Sequence, residues 1–248
     1  MALLHASAIM PMHTSSNEKI SLCLCESNQY GLLWTVGTTT QVYSMKIYKG
    51  THGLHNKDNL LQMIKLIDNS INQYSSITVL RIDMHYPPIL EDTVCCFANL
   101  EPGAISRFIN ALNEILEASE RRRARNGTRV HPNTLRCMWA KEYSQSGKCH
   151  FHACLVFNKA AYYYLGDFKN EDSLRMMITK AWYSALGLEI DDCQGLVEFP
   201  KNCKYVLNVN SSDYIYNYNL LFVRLDYLTK LKSKNYGQGE RNFGCSRK

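Results

Sequence analysis

Four absences narrow the reading of this 248-residue chain. No apolar run approaches the ~18 residues that a membrane-spanning helix needs, so no membrane segment is expected. The opening MALLHASAIMPMH is apolar but short and has no basic leader, which argues against a secretory signal. No Cys-x-x-Cys pair occurs among the ten cysteines, which removes the usual structural zinc motifs. There is no Walker-type phosphate loop, so the chain carries no helicase motor of that kind. Repeats and low-complexity segments are also missing. Cys95 and Cys96 are adjacent, and the chain is long for a disulfide-stapled scaffold. The cysteines therefore read as reduced thiols of a cytoplasmic protein.

Hydrophobic residues make up 46% of the chain, enough for a packed core, and the net charge is +6. Where that charge sits matters more than its size. Arg224, Lys230, Lys232, Lys234, Arg241, Arg247 and Lys248 crowd one stretch that holds only two acids, Asp226 and Glu240. Arg121, Arg122, Arg123 and Arg125 form a second run. Clusters of this kind suit a nucleic-acid backbone, although a solvated helix end and tail would look the same.

Residues 1–56 contain strand-like pieces (SLCLC, LLWTV, VYSMKIY) and read as an extension of sheet or hairpin character. From Lys57 the pattern sharpens. Leu60, Ile64, Ile67 and Ile71 recur at helical spacing, which predicts a helix over 57–74. ITVLRIDMHY (77–86) alternates: Leu80, Ile82 and Met84 face one side, and Arg81, Asp83 and His85 the other. A helix is predicted from about Ala104 to Arg122, ended by Asn126-Gly127. TLRCMWAKEYS (134–144) and CHFHACLVF (149–157) are two strands separated by a four-residue link, and so a hairpin. A third helix is expected after an Asn170 cap and before Gly187, with short strands at 195–199 and 204–208. A last helix is expected from about Ser212 to Lys232. Helices interspersed with strands around an antiparallel hairpin predict an α+β fold, a central antiparallel sheet flanked by helices.

His150-Phe151-His152 is the most informative segment. Residues i and i+2 of a strand share a face, so two imidazoles can converge on one divalent ion while Phe151 points into the core. Glu142, on the preceding strand, can join them across the hairpin, and Asp83 is the runner-up for the third position. Two histidines and one carboxylate leave coordination positions open for a phosphate. A structural zinc site from Cys149, His150, His152 and Cys154 does not fit, because the two cysteines fall on opposite faces of the strand. Downstream, Tyr227 and Lys230 would share a helix face at i,i+3, a nucleophile with a supporting ammonium. In a chain with 16 tyrosines, Tyr227 is alternatively an ordinary boundary residue.

Together these features resemble the HUH endonuclease superfamily. More narrowly, VLRIDMHYP, KEYSQSGKCHFHACLVFN, RLDYLTKLKSK and RNFGCSR resemble the YagK/YfjJ C-terminal-domain family, grouped with inovirus gene-two-type replication initiators. The resemblance covers residues 57–248 and leaves 1–56 outside it. It implies an HUH/Rep-like, ferredoxin-like sandwich acting on single-stranded origin DNA in a bacterial host cell. Tyr227 would attack with help from Lys230, forming a 5′-phosphotyrosine link and a 3′-hydroxyl. His150, His152 and Glu142 would hold Mg²⁺ or Mn²⁺. Arg81, Lys232, Lys234, Arg241 and Arg247 are the residues expected to contact DNA. A host helicase and polymerase would be partners. Alternatives are a prophage DNA-binding regulator that no longer cuts, and a transposase or relaxase relative. Tyr236, nine residues past Tyr227, puts a paired-tyrosine mechanism in doubt.

Overall fold

A computed structural model describes residues 22–26, 32–36, 47–50, 52–88, 97–144, 147–232, 234 and 240–246. The chain divides into two compact units, Met1–Ser44 and Met45–Lys248. The first contains an antiparallel pair, β1 (Leu22–Glu26) and β2 (Leu32–Val36). The second carries the six-stranded sheet. That unit starts before residue 57 because it takes in a second hairpin, β3 (Ile47–Gly50) and β4 (Gly53–Asn56). His55 of this hairpin is fully buried.

Helix α1 spans Lys57–Tyr74, as its apolar spacing predicts. Asn56 starts it by accepting from the Asn59 amide at 3.0 Å. The left-handed Ser75 (φ 55°) ends it. Strand β5 (Ser76–His85) leads to α2 (Ala104–Arg125), and the hairpin strands are β6 (Arg136–Tyr143) and β7 (Cys149–Asn158). Helix α3 covers Leu174–Leu186 and is closed by Gly187 in the left-handed region. Its cap is Ser173, whose Oγ accepts from the Met176 amide at 3.1 Å, rather than the expected Asn170. Asn170 instead accepts from the Asp172 amide at 2.9 Å, in the turn before the helix. After β8 (Val197–Glu198) and β9 (Lys204–Asn208) comes α4 (Tyr214–Asp226). A 3-10 turn, Tyr227–Thr229, and β10 (Phe243–Cys245) complete the unit.

The sheet is antiparallel throughout, in the order β10-β6-β7-β5-β8, with β9 also paired to β5. Alternation along β5 and β7 divides its two faces. Leu80, Ile82, Met84, Phe151, Ala153, Leu155 and Phe157 pack with Phe108, Leu112 and Leu116 of α2 and Ile178, Trp182 and Leu186 of α3. Each such large side chain contributes roughly 1.5–3 kcal/mol on burial. The indole of Trp182 donates to the His85 carbonyl at 2.8 Å, tying this core to the end of β5. Met63, Ile64 and Ile67 of α1 and Leu221, Phe222 and Leu225 of α4 line one small apolar cavity. The fold class is thus the expected α+β with a central sheet.

Strand β10 accounts for one conspicuous sequence feature. Gly244 of RNFGCSR pairs with Trp139 of β6, and a Cβ there would lie 2.5 Å from the indole. Only glycine leaves room for that ring, which in turn meets Phe151 edge-on at 6.0 Å. Phe151 is the residue between the two histidines, so the ending segment braces the strand that carries them.

Candidate metal and nucleophile site

Register brings the chemistry together. The β6–β7 pairing sets Glu142 opposite His150. The β5–β7 pairing sets His85 opposite His150 and Asp83 opposite His152. Directly opposed residues present their side chains on the same face. Glu142, His150, His152, Asp83, His85 and Arg81 therefore share the face turned away from α2 and α3.

Glu142, His150 and His152 each offer one ligand atom, and the three atoms lie within 4.8 Å of one another. His150 Nε2 is 3.1 Å from His152 Nε2, and His152 Nε2 is 3.6 Å from Glu142 Oε2. Two ligands bound at about 2.1 Å can be at most about 4.2 Å apart, so both spacings fit a single ion. The donor set of two imidazoles and one carboxylate is also suited to a divalent cation. This His/Glu cluster can hold a metal ion.

Asp83 stands behind that cluster instead of in it. Its Oδ1 accepts from His152 Nδ1 at 2.7 Å and from Arg81 at 2.7 Å. The bond fixes the tautomer of His152 and leaves Nε2 as the ligating nitrogen. Burial pushes the Asp83 carboxyl up, but the hydrogen bond from His152 and the charge of Arg81 outweigh it, and its pKa is lowered. Burial lowers the pKa of His152, against the opposing pull of Asp83, which favours the neutral imidazole that a metal requires.

Tyr227 lies beside this cluster, its ring centroid 5.4 Å from that of His152. The expected helix through Lys232 is cut short, because α4 ends at Asp226 and the chain tightens into the 3-10 turn. Lys230 then leaves helical geometry altogether (φ −59°, ψ 148°). The reason is competition from β4: Lys230 bridges to His55, and the Leu231 amide donates to the Leu54 carbonyl at 2.7 Å. Lys230 still reaches Tyr227. Its Nζ is 3.2 Å from the ring centroid and 3.0 Å from Glu142 Oε2.

The other expected DNA contacts separate into three groups. Arg81 is buried, with its guanidinium carbon 5.5 Å from the Tyr227 ring centroid, so it belongs to the site and not to an outer surface. Lys234 is also buried, donating to the carbonyls of Leu228 and Lys230. It fastens the turn that carries Lys230 and cannot track a phosphate chain. Burial pushes its pKa down to about 8. Lys232 and Arg241 are exposed, whereas Arg247 lies outside the described residues, as does Tyr236. The Arg121–Arg125 run ends α2, where Arg122 pairs with Asp172 and Arg123 donates to the Tyr162 hydroxyl at 3.3 Å.

Sequence reasoning missed three residues around Tyr227. His52 Nδ1 is 2.7 Å from Asp226 Oδ1, and the His52 ring meets Tyr227 edge-on at 5.2 Å. His55 Nδ1 is 2.9 Å from Thr229 Oγ1 and 3.0 Å from the Asp226 carbonyl. The adjacency of Asp226 to Tyr227 and the His52-x-x-His55 spacing were the only available signals.

The YagK/YfjJ C-terminal domain model matches residues 38–246. The chain belongs to this family. The match reaches back through the β3–β4 hairpin, in keeping with the compact unit that begins at Met45. The family member YagK of Escherichia coli strain K12, which carries the name uncharacterized protein, is 54% identical over 204 residues, covering 82% of this chain and 98% of YagK. YfjJ from the same strain, also named as uncharacterized, is 40% identical over 203 residues, covering 80% of this chain and 96% of YfjJ. No solved structure matches. Among the described residues, no helix is long and apolar enough to cross a membrane.

Proposed function

We propose that this YagK/YfjJ-family chain is an HUH-type DNA-nicking enzyme, a rolling-circle replication initiator of phage or prophage type. Its substrate would be single-stranded origin DNA. His150, His152 and Glu142 would hold Mg²⁺ or Mn²⁺, which when bound polarises the scissile phosphodiester and steadies charge on the leaving 3′ oxygen. Tyr227 is the nucleophile. Its phenolic oxygen forms a bond to phosphorus as the P–O3′ bond breaks, leaving a 5′-phosphotyrosine and a free 3′-hydroxyl. Asp83 keeps His152 turned towards the site. Arg81 and Lys230 flank the tyrosine as cations that would meet the non-bridging phosphate oxygens. Lys232 and Arg241 would contact the flanking strand. A host helicase and polymerase would extend the new 3′ end.

The observation that carries this reading is the placement of one tyrosine ring 5.4 Å from a histidine of the metal-competent cluster, with Lys230 spanning Tyr227 and Glu142.

A randomised substrate makes the test independent of the nick-site sequence. The protein is incubated with a randomised single-stranded DNA library and Mn²⁺, and adducts that survive denaturant are isolated. Peptide mapping is expected to place the 5′ end of the cut strand on Tyr227. Adducts on another tyrosine would keep the reaction and change the nucleophile. No adduct from the library or from host-derived single strands, together with retained DNA binding, would support a non-cutting DNA-binding protein instead.

A further inference from the structure

The β3–β4 hairpin supplies no metal ligand, yet it delivers a histidine to the nucleophile. The acid that grips His52, Asp226, is 3% exposed and immediately precedes Tyr227. The His52 and Tyr227 rings lie edge to face, with planes at 86°. We propose that His52 is the general base for Tyr227 and that Asp226 is the residue that positions it. This rests on the nicking reaction proposed above.

Elimination supports the assignment. Arg81 and Lys230 flank the phenol as cations and have no proton-accepting role there. His152 has one ring nitrogen engaged by Asp83 and the other among the metal-ligating atoms. Glu142 belongs to that set and pairs with Lys230. His55 is buried against Thr229 and the Asp226 carbonyl, on the inner side of the hairpin. His52 differs from all of these. Its side chain keeps 35% of its exposure, so a proton that it takes up can pass to water. Asp226 accepts the Nδ1 proton, which fixes the tautomer in which Nε2 is the accepting nitrogen.

The proton balance is simple. The phenolic proton moves to His52 Nε2, and the oxygen's electron pair forms the bond to phosphorus. The P–O3′ bond breaks with its electron pair on O3′, which takes a proton from water. In rejoining, the 3′-hydroxyl gives its proton to water as its oxygen bonds to phosphorus, the P–O bond to Tyr227 breaks with its electron pair on the phenolic oxygen, and His52, reprotonated from water, returns a proton to that oxygen. Asp226 and Tyr227 are among the groups that face His52, and His55 is on the same hairpin.

A tether between the hairpin and α4 would use the same hydrogen bond, so the experiment must separate a tether from a base. Adduct formation is timed for wild type, His52→Ala and Asp226→Asn, with and without added imidazole. His52→Ala is expected to slow the step on the order of 10²–10⁴-fold while Mn²⁺ and DNA affinities persist. Imidazole is expected to restore part of the rate to His52→Ala but none to Asp226→Asn, which still holds its own ring. An unchanged rate in His52→Ala, or a slow rate that imidazole does not lift, overturns the proposal and leaves the nicking reaction standing. A second arm needs no cleavage. In ¹⁵N-histidine spectra, His52 should be the Nδ1–H tautomer, and its Nε2 resonance should move in Tyr227→Phe. An Nε2–H tautomer, or an Nε2 resonance indifferent to Tyr227→Phe, overturns the assignment whatever the DNA does.

Discussion

Asp83 accepts the Nδ1 proton of His152 at 2.7 Å, and through that bond a residue of β5 decides which nitrogen of a β7 histidine faces the metal-competent cluster. Asp83→Asn should keep the fold but lose control of the tautomer. Mn²⁺ affinity is expected to fall 10–100-fold, as for other partners of ligating histidines, by calorimetric titration. Affinity equal to wild type would mean that the ring is oriented by something else.

The cluster itself is tested by removing its nitrogens. In His150→Ala, His152→Ala the Mn²⁺-dependent rise in melting temperature should disappear, while the metal-free protein melts close to wild type. A rise of the same size in the double variant would put the ion elsewhere.

Tyr227→Phe removes one oxygen. Cleavage and adduct should vanish, with metal affinity intact. Lys230→Ala should slow the step without stopping it. It should also cost stability, because Glu142 would lose the buried ammonium 3.0 Å from its Oε2. A phenylalanine variant that still cuts would remove Tyr227 from the mechanism.

Buried and exposed lysines should behave differently towards DNA. Lys232→Ala and Arg241→Ala should each shallow the salt dependence of single-strand binding by about 0.7 log unit for each phosphate left unneutralised. Lys234→Met should leave that slope alone, because its ammonium is spent on the carbonyls of Leu228 and Lys230. A shallower slope in Lys234→Met would contradict its burial.

Lys234 also imprints a pH dependence. Its pKa is about 8 in the fold against 10.5 unfolded, so between those values the unfolded chain holds more protons. Its contribution to stability therefore rises with pH across that window, by on the order of 3 kcal/mol, and is flat below it. Denaturant unfolding of wild type and Lys234→Met should show the difference between them changing in favour of wild type from pH 8 to 10.5. A difference independent of pH would mean that the ammonium is solvated.

The hairpin was legible because alternation and a four-residue link determine both the faces and the partner of β7. Glu142 followed from the same geometry. A helix reaching Tyr227 was legible, but its end at Asp226 was not. Leu225 and Leu228 are three apart and stay buried equally well in an α-helix or a 3-10 turn. Lys234 was misplaced for a general reason: charged residues are read as solvated unless their partners are known. The partners of Lys234 are backbone carbonyls, which no side-chain pattern reveals. His52 was invisible because its partner is 174 residues away. The boundary at residue 57 failed on the same ground, since β4 is held by Leu54, His55 and their contacts with Thr229 and Leu231.

That separation along the chain has a consequence for assembly. Glu142, His150 and His152 lie on one hairpin and meet through short loop closure, whereas Tyr227 meets His52 only after most of the chain has been gathered in. A molecule that has folded its central hairpin alone has the three candidate ligands but no tyrosine beside them. If Tyr227 is the nucleophile proposed above, the competence to break a DNA strand would depend on these long-range contacts, and partly unfolded copies would be harmless to the genome around them.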